Sequence, residues 1–88
     1  MRVLFREKFH KDLRKPIDRK VRNHLETLIQ KLEKTSSISQ IPNMKKMEGY
    51  KNFYRIRMGV YRIGCVCENN EIRLVRFLHR KDIYKKFP

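Results

Sequence analysis

Tyr54-Arg55-Ile56-Arg57-Met58-Gly59-Val60-Tyr61-Arg62-Ile63 is the stretch that decides the fold. Read with period two, it makes two short strands joined at Gly59. Tyr54, Ile56 and Met58 fall on one face of the first strand, and Arg55 and Arg57 on the other. On the second strand Tyr61, Ile63 and Cys65 share a face, with Arg62 opposite. One face of the pair can enter a core. The other carries three guanidiniums on adjacent strands. Like charges that close repel across a sheet, so the pattern calls for an anionic group from outside the chain.

Working upstream, Met44 to Glu48 reads as a short extended piece that places Lys45 and Lys46 beside the arginine strands. Thr35 to Asn43 is rich in Ser, lacks a helical stripe and reads as a loop. Before it, Ile17, Val21, Leu25, Leu28 and Leu32 recur at helical spacing, which predicts a helix from about Ile17 to Glu33. Pro16 suits the first helical position and Asp18 the first turn. Phe9 and Leu13, four apart, mark an earlier helix, and only Lys15 and Pro16 separate the two, so they form a helical hairpin. Arg2 to Phe5 is a short strand with Val3 and Phe5 on one side.

Downstream, the second arginine strand runs on to about Cys67, and Glu68-Asn69-Asn70-Glu71 reads as a hairpin turn because Asn tolerates positive φ. Ile72 to Leu78 is a third strand of the meander. Val75 and Phe77 share one of its faces, and Leu74, Arg76 and Leu78 the other. Both faces carry apolar residues, so alternation leaves the inward one open, and Arg76 joins the basic face on only one of the two readings. His79 to Pro88 closes the chain with a helical turn or two. The expected architecture is α+β: an N-terminal strand and a helical hairpin packed on one face of a small antiparallel sheet containing Phe53–Met58, Val60–Cys67 and Ile72–Leu78, in the order β-α-α-β-β-β with a short C-terminal helix.

Eighty-eight residues set one domain, 1–88, as the default. Lys and Arg number 23 against 9 Asp and Glu, a net charge of +14. A balance this basic says little about fold and much about partners: nucleic acid, an anionic membrane surface or an acidic protein. No apolar run approaches the ~20 residues of a membrane span, and the basic N-terminus leads into no long apolar segment, so neither a membrane location nor a secretory signal is expected. Cys65 and Cys67 point the same way from an extended backbone, a poor geometry for a mutual disulfide, and read as two small buried thiols of a reducing cytoplasm. His10, His24 and His79 are scattered and no further Cys completes a zinc pattern, so no metal or other cofactor is expected.

Arginine suits phosphate because its planar fork donates two hydrogen bonds and stays charged. Taken singly, Arg55, Arg57 and Arg62 read as solvated surface charges. Together on one face of a +14 domain, they read as a phosphate site to which Lys45, Lys46 and Arg76 contribute. Beyond the last strand stand His79, Arg80 and Tyr84. Histidine exchanges protons near neutral pH, and tyrosine stacks on a base or donates a proton. With Arg62 to stabilise a phosphoryl transition state, these four could cleave RNA without metal: the 2′-OH attacks the adjacent phosphate and the 5′-oxygen leaves. Tyr54 and Tyr61 read as core, and His10 and His24, on helices away from the cluster, receive no role.

Tyr54-Arg55-Ile56-Arg57, Gly59, Tyr61-Arg62-Ile63 and the ending His79-Arg80-Lys81-Asp82-Ile83-Tyr84, preceded by Met47-Glu48-Gly49-Tyr50, resemble the RelE/ParE toxin superfamily over nearly the whole chain. The resemblance implies the toxin of a type II toxin–antitoxin pair, nearest the RelE-like mRNA interferases, which enter the ribosomal A site and cut mRNA there. It also implies a small cognate antitoxin, expected here to be acidic. By resemblance Arg55 and Arg57 match the basic pair of the first meander strand, Arg62 the arginine after the next tyrosine, Arg80 the basic residue after the last strand, and Tyr84 the C-terminal tyrosine. Members with a histidine near the end make His79 a candidate. Some relatives use a glutamate base before the sheet; here Ile41 stands at about that position, and the nearest carboxylate is Glu48. Where many relatives have an acid before the tyrosine, this chain has Val60. The alternatives are a ParE-like inhibitor of DNA gyrase, which shares the fold, and a nucleic-acid-binding module without activity.

Overall fold

The computed structural model describes Met1–Pro88. Its elements are β1 (Arg2–Phe5), α1 (Glu7–Leu13), α2 (Arg19–Lys34), β2 (Met44–Lys46), β3 (Phe53–Met58), β4 (Tyr61–Glu68), β5 (Glu71–His79) and α3 (Arg80–Lys86). A single 3-10 turn, Ile38–Gln40, interrupts the loop after α2. The five strands form one sheet in the order β1-β5-β4-β3-β2, antiparallel except for β1, which runs parallel to β5.

The expected α+β architecture is the one found. The β3–β4 hairpin closes through Gly59 and Val60, with Met58 facing Tyr61; Gly59 takes φ +60°, as the first central residue of a two-residue hairpin turn requires. The β4–β5 hairpin closes through Asn69 and Asn70, both at positive φ, with Glu68 facing Glu71. The second helix starts later than expected. Asp18 lies outside its first turn and caps it, accepting the Lys20 N–H at 2.8 Å, so Pro16 and Ile17 belong to the connection. Arg22 ties that connection down by donating to the Leu13 and Lys15 carbonyls.

The main core lies between the α1–α2 layer and the sheet. Leu25 and Leu32 of α2 and Phe9 of α1 meet Ile56, Met58, Ile63, Cys65, Cys67, Ile72, Leu74 and Phe77, with Ile17, Val21 and Leu28 packed alongside. The helical stripe therefore faces inward, as its spacing implies. Tyr54 and Tyr61 pack against this core, and the Tyr61 ring stacks on Phe77 at 4.7 Å. Both cysteines are buried free thiols; their mutual hydrogen bond and burial push Cys65 well above the ordinary thiol range.

Two features depart from simple alternation. First, the β4–β5 register shifts: Cys65 pairs with Leu74, Gly64 with Arg76, and Val75 is an extra residue. Ile72, Leu74, Phe77 and His79 therefore share the helix side, while Val75 and Leu78 look to the other; neither face expected from strict alternation is correct. Second, that other face is not left open. Helix α3 folds onto it, and Leu78, Ile83 and Phe87 form a second, smaller core with Met47, Phe53 and Val75. A Cβ on Gly64 would sit 2.7 Å from the Phe87 ring, so the glycine is what lets α3 lie flat on the sheet.

Candidate functional site

Helix α3 covers only part of the second face, and the arginine strands continue beyond it. Arg57 and Arg62 are direct cross-strand partners, the close pairing of like charges that the period-two reading implies. The chain itself relieves part of the repulsion. Arg62 Nη1 donates to the Gly59 and Tyr61 carbonyls, each at 2.9 Å, and Arg57 Nη2 donates to Asn43 Oδ1 at 3.2 Å. Arg55 lies over the Tyr84 ring, which α3 presents. Each guanidinium is anchored at one point and keeps further N–H donors free, since an arginine has five.

Two clefts meet at these arginines. One, of about 420 Å³, is lined by Asn43, Met44, Lys45, Arg55, Arg57, Arg62 and Tyr84. The other, of about 580 Å³, opens around the β3–β4 turn and includes Arg57, Arg62 and Arg80, together with His24, Thr27 and Lys31 of α2. Neither has an Asp or Glu in its lining. The strand carboxylates are at the far end of the sheet, where Glu68 and Glu71 pair with Arg73, each at 3.1 Å. A cleft lined by one sign of charge focuses potential onto an anionic ligand.

Lys45, Arg55, Arg57, Arg62, Arg80 and Tyr84 are thus brought together along this groove. Three of the residues expected there are not. Lys46 pairs with Tyr54 and so projects from the opposite face of the edge strand. Arg76 is turned inward: its Nε and Nη2 grip the two Asp12 oxygens at 2.8 and 3.0 Å, while the Phe77 N–H donates to the same carboxylate at 2.9 Å. Strand β1 stops at Phe5 opposite Leu74, so the edge of β5 beyond it is unpaired, and Asp12 of α1 covers it. Burial pushes the Asp12 carboxyl up, but the Arg76 hydrogen bond, the Phe77 N–H and the charges of Arg76 and Lys15 outweigh it, holding it below the ordinary carboxylate value. Arg76 is an internal partner, not a surface phosphate ligand.

His79 is the third. The extra residue at Val75 sends it to the helix side, edge-on to Tyr61 with ring centroids 6.1 Å apart, near Asp12 and Ile17. Its Nδ1 accepts the Lys81 N–H at 3.1 Å and caps α3. Conversely, Thr27, Lys31 and Asn43 line the clefts unexpectedly, and His24, expected away from the arginines, lines one of them with Arg57, Arg62 and Arg80, because its face of α2 borders the β3–β4 turn. The signal for the α2 residues was available in their spacing on one helix face, but nothing in the sequence showed that this face borders the β3–β4 turn. Ile41 is buried in the core and Glu48 lines neither cleft, so no glutamate stands beside the arginines. No three His, Cys, Asp or Glu side chains converge as a metal site.

Residues 3–84 match the family described as the ParE toxin of the type II toxin–antitoxin system parDE. The curated protein Toxin RelE3 of Methanocaldococcus jannaschii is 40% identical over the full length of both chains. The solved RelB–RelE antitoxin–toxin complex from Methanococcus jannaschii contains a chain 38% identical, superposing with a TM-score of 0.82 over 97% of this chain and 99% of that one. The archaeal RelE–RelB complex from Pyrococcus horikoshii shares the fold at 20% identity, with a TM-score of 0.72 over 90% of this chain and 93% of that one. With a family match spanning nearly every element of the sheet and a full-length relative at 40% identity, this chain belongs to the RelE/ParE toxin superfamily.

Proposed function

We propose that this chain is the toxin of a type II toxin–antitoxin pair and an endoribonuclease that cuts mRNA on the ribosome, using the 2′-OH beside the scissile phosphate as nucleophile. The observation that carries the proposal is the carboxylate-free groove in which Arg57 and Arg62 face each other between Arg55, Arg80 and Lys45. A backbone phosphate seated between Arg57 and Arg62 relieves their repulsion with its single negative charge. As the 2′-oxygen attacks, its proton passing to water, negative charge grows on the non-bridging oxygens, and the unspent donors of Arg62 stabilise it where it develops. The turn carbonyls hold that guanidinium in place beforehand, so little reorganisation is needed during the reaction. Tyr84, on the opposite rim, stacks on a base and gives its phenolic proton to the departing 5′-oxygen. His79 serves as a positioning residue: by capping α3 it fixes the helix that carries Tyr84.

The partner follows from the same charge. The toxin chain of the 38%-identical relative was solved with RelB. We extend that arrangement to an acidic, partly disordered antitoxin that folds on contact and competes with RNA for the groove.

The test is induction in cells followed by mapping of mRNA 5′ ends. In-frame cuts within translated messages are expected. Intact messages with trapped gyrase–DNA complexes would overturn the nuclease in favour of a ParE-like toxin, the reading that the family description keeps open. Intact messages without such complexes would leave a binding module.

A further inference from the structure

We propose that the cleft between α2 and the β3–β4 turn is a second nucleotide subsite, which holds the RNA strand next to the phosphate gripped by Arg57 and Arg62. The inference rests on the nuclease reading above and extends it. Its volume, about 580 Å³, lies within the ~300–1,000 Å³ of ligand clefts. It shares Asn43, Arg57 and Arg62 with the Tyr84 cleft, so a strand leaving one enters the other at the arginine pair.

The lining has the layout a nucleotide needs. Leu28 and Met58 supply an apolar floor for a base. His24, Thr27 and Lys31 are three and four residues apart on α2, so one helix face presents an imidazole, a hydroxyl and an ammonium in a row. The ammonium suits a phosphate as a point charge, the hydroxyl a sugar or phosphate oxygen, and the imidazole ring stacks on or hydrogen-bonds a base. The carboxylates of α2, Glu26 and Glu33, are outside the lining. A free nucleotide would satisfy the same chemistry; continuity with the arginine pair is what selects a strand.

The test measures binding of a single-stranded 2′-O-methyl RNA hexamer, which cannot be cut, across a range of salt. The proteins are the wild type, Lys31→Ala, His24→Ala and Lys8→Ala. Lys8, on α1, lines neither cleft and controls for the loss of one charge from a +14 chain. All three are exposed helix positions, where Ala is well tolerated. Lys31→Ala is expected to lower the slope of log affinity against log salt by ~0.7, the contribution of one single-strand phosphate contact. His24→Ala is expected to weaken binding several-fold at unchanged slope, and Lys8→Ala to leave the slope as it is. Equal behaviour of Lys31→Ala and Lys8→Ala overturns the subsite. So does failure of the wild type to bind the hexamer, since the cleft is already formed in the free chain. Binding of 5′-AMP with the same dependence on Lys31, and no gain from the hexamer, assigns the cleft to a free nucleotide and also overturns it. Cleavage of mRNA in a cell-free translation reaction separates the two readings. If the wild type cuts, the nuclease stands whatever the hexamer shows; if it does not, the nuclease falls and the subsite with it.

Discussion

The Arg55 guanidinium carbon sits 4.4 Å from the centroid of the Tyr84 ring, so a strand residue and a helix residue far apart in sequence share one cation–π contact at the rim of the groove. Tyr84 is 70% exposed. An aromatic surface held flat by a cation on one side is a platform for a base on the other. Two substitutions separate its roles. Tyr84→Ala should weaken RNA binding by ~1–3 kcal/mol, the usual worth of one base–aromatic stack. Tyr84→Phe should bind as the wild type does but lower the single-turnover cleavage rate by roughly 10²-fold or more, through loss of the proton donor. A Phe variant with wild-type cleavage would show that the phenol transfers no proton.

Arg62→Ala should reduce the cleavage rate at saturating toxin by ~10²–10³, the cost of one donor to a developing oxyanion. Its side chain faces away from the main core, so the fold should persist, which circular dichroism and thermal unfolding check directly. A folded variant that still arrests translation at wild-type potency contradicts the phosphate site.

Asp12 concerns stability, not chemistry. The carboxylate is 5% exposed and satisfies Arg76 and the open edge of β5. Breaking a buried pair costs ~3–5 kcal/mol, and Asp12→Ala should fall near the lower end because Arg76 is 14% exposed and can reach water. Denaturant titration measures this. The acid limb gives a second readout. The folded-state carboxyl lies below its unfolded value, so its contribution is complete above about pH 4 and is lost as pH falls through the lower folded value. Asp12→Asn should be less stable near neutrality and show a flatter decline on acidification. An acid limb as steep as that of the wild type would mean that other carboxylates govern it.

Gly64→Ala tests how α3 is seated. The added methyl would lie 2.7–2.8 Å from three atoms of the Phe87 ring, so the ring must move. A loss of ~1–3 kcal/mol is expected, as for other overpacked sites. Adding Phe87→Leu should recover part of it. The single variant should also lose cleavage activity, because Ile83 and Phe87 seat the helix that presents Tyr84. Wild-type stability in Gly64→Ala would show that α3 shifts freely on the sheet.

Period and spacing made most of the elements legible. The stripe from Ile17 to Leu32, the Gly59 turn and the Asn69-Asn70 turn each have a local cause, so local reading found them. The arginine face was legible for the same reason, because Arg57 and Arg62 lie on one regular ladder. What escaped depends on contacts remote in sequence. Asp12 and Arg76 are 64 residues apart, and nothing near either announces a buried pair. Gly64 within a strand did carry a signal of close approach, but it named no partner. His24 reads as remote from the arginines because the border between α2 and the β3–β4 turn is set by tertiary packing. His79 escaped through one irregularity upstream of it.

That irregularity, the unpaired Val75, sets the parity of everything that follows it in the strand. In a chain with the same residues but an unbroken ladder, Arg76 and Leu78 would turn to the helices, and Phe77 and His79 to the arginines. Two homologous chains could then align without a gap, match at their final histidine, and present it to opposite sides of the sheet. For chains of this kind, the identity of the residue ending the last strand says less about its chemistry than the number of residues the strand absorbs before reaching it.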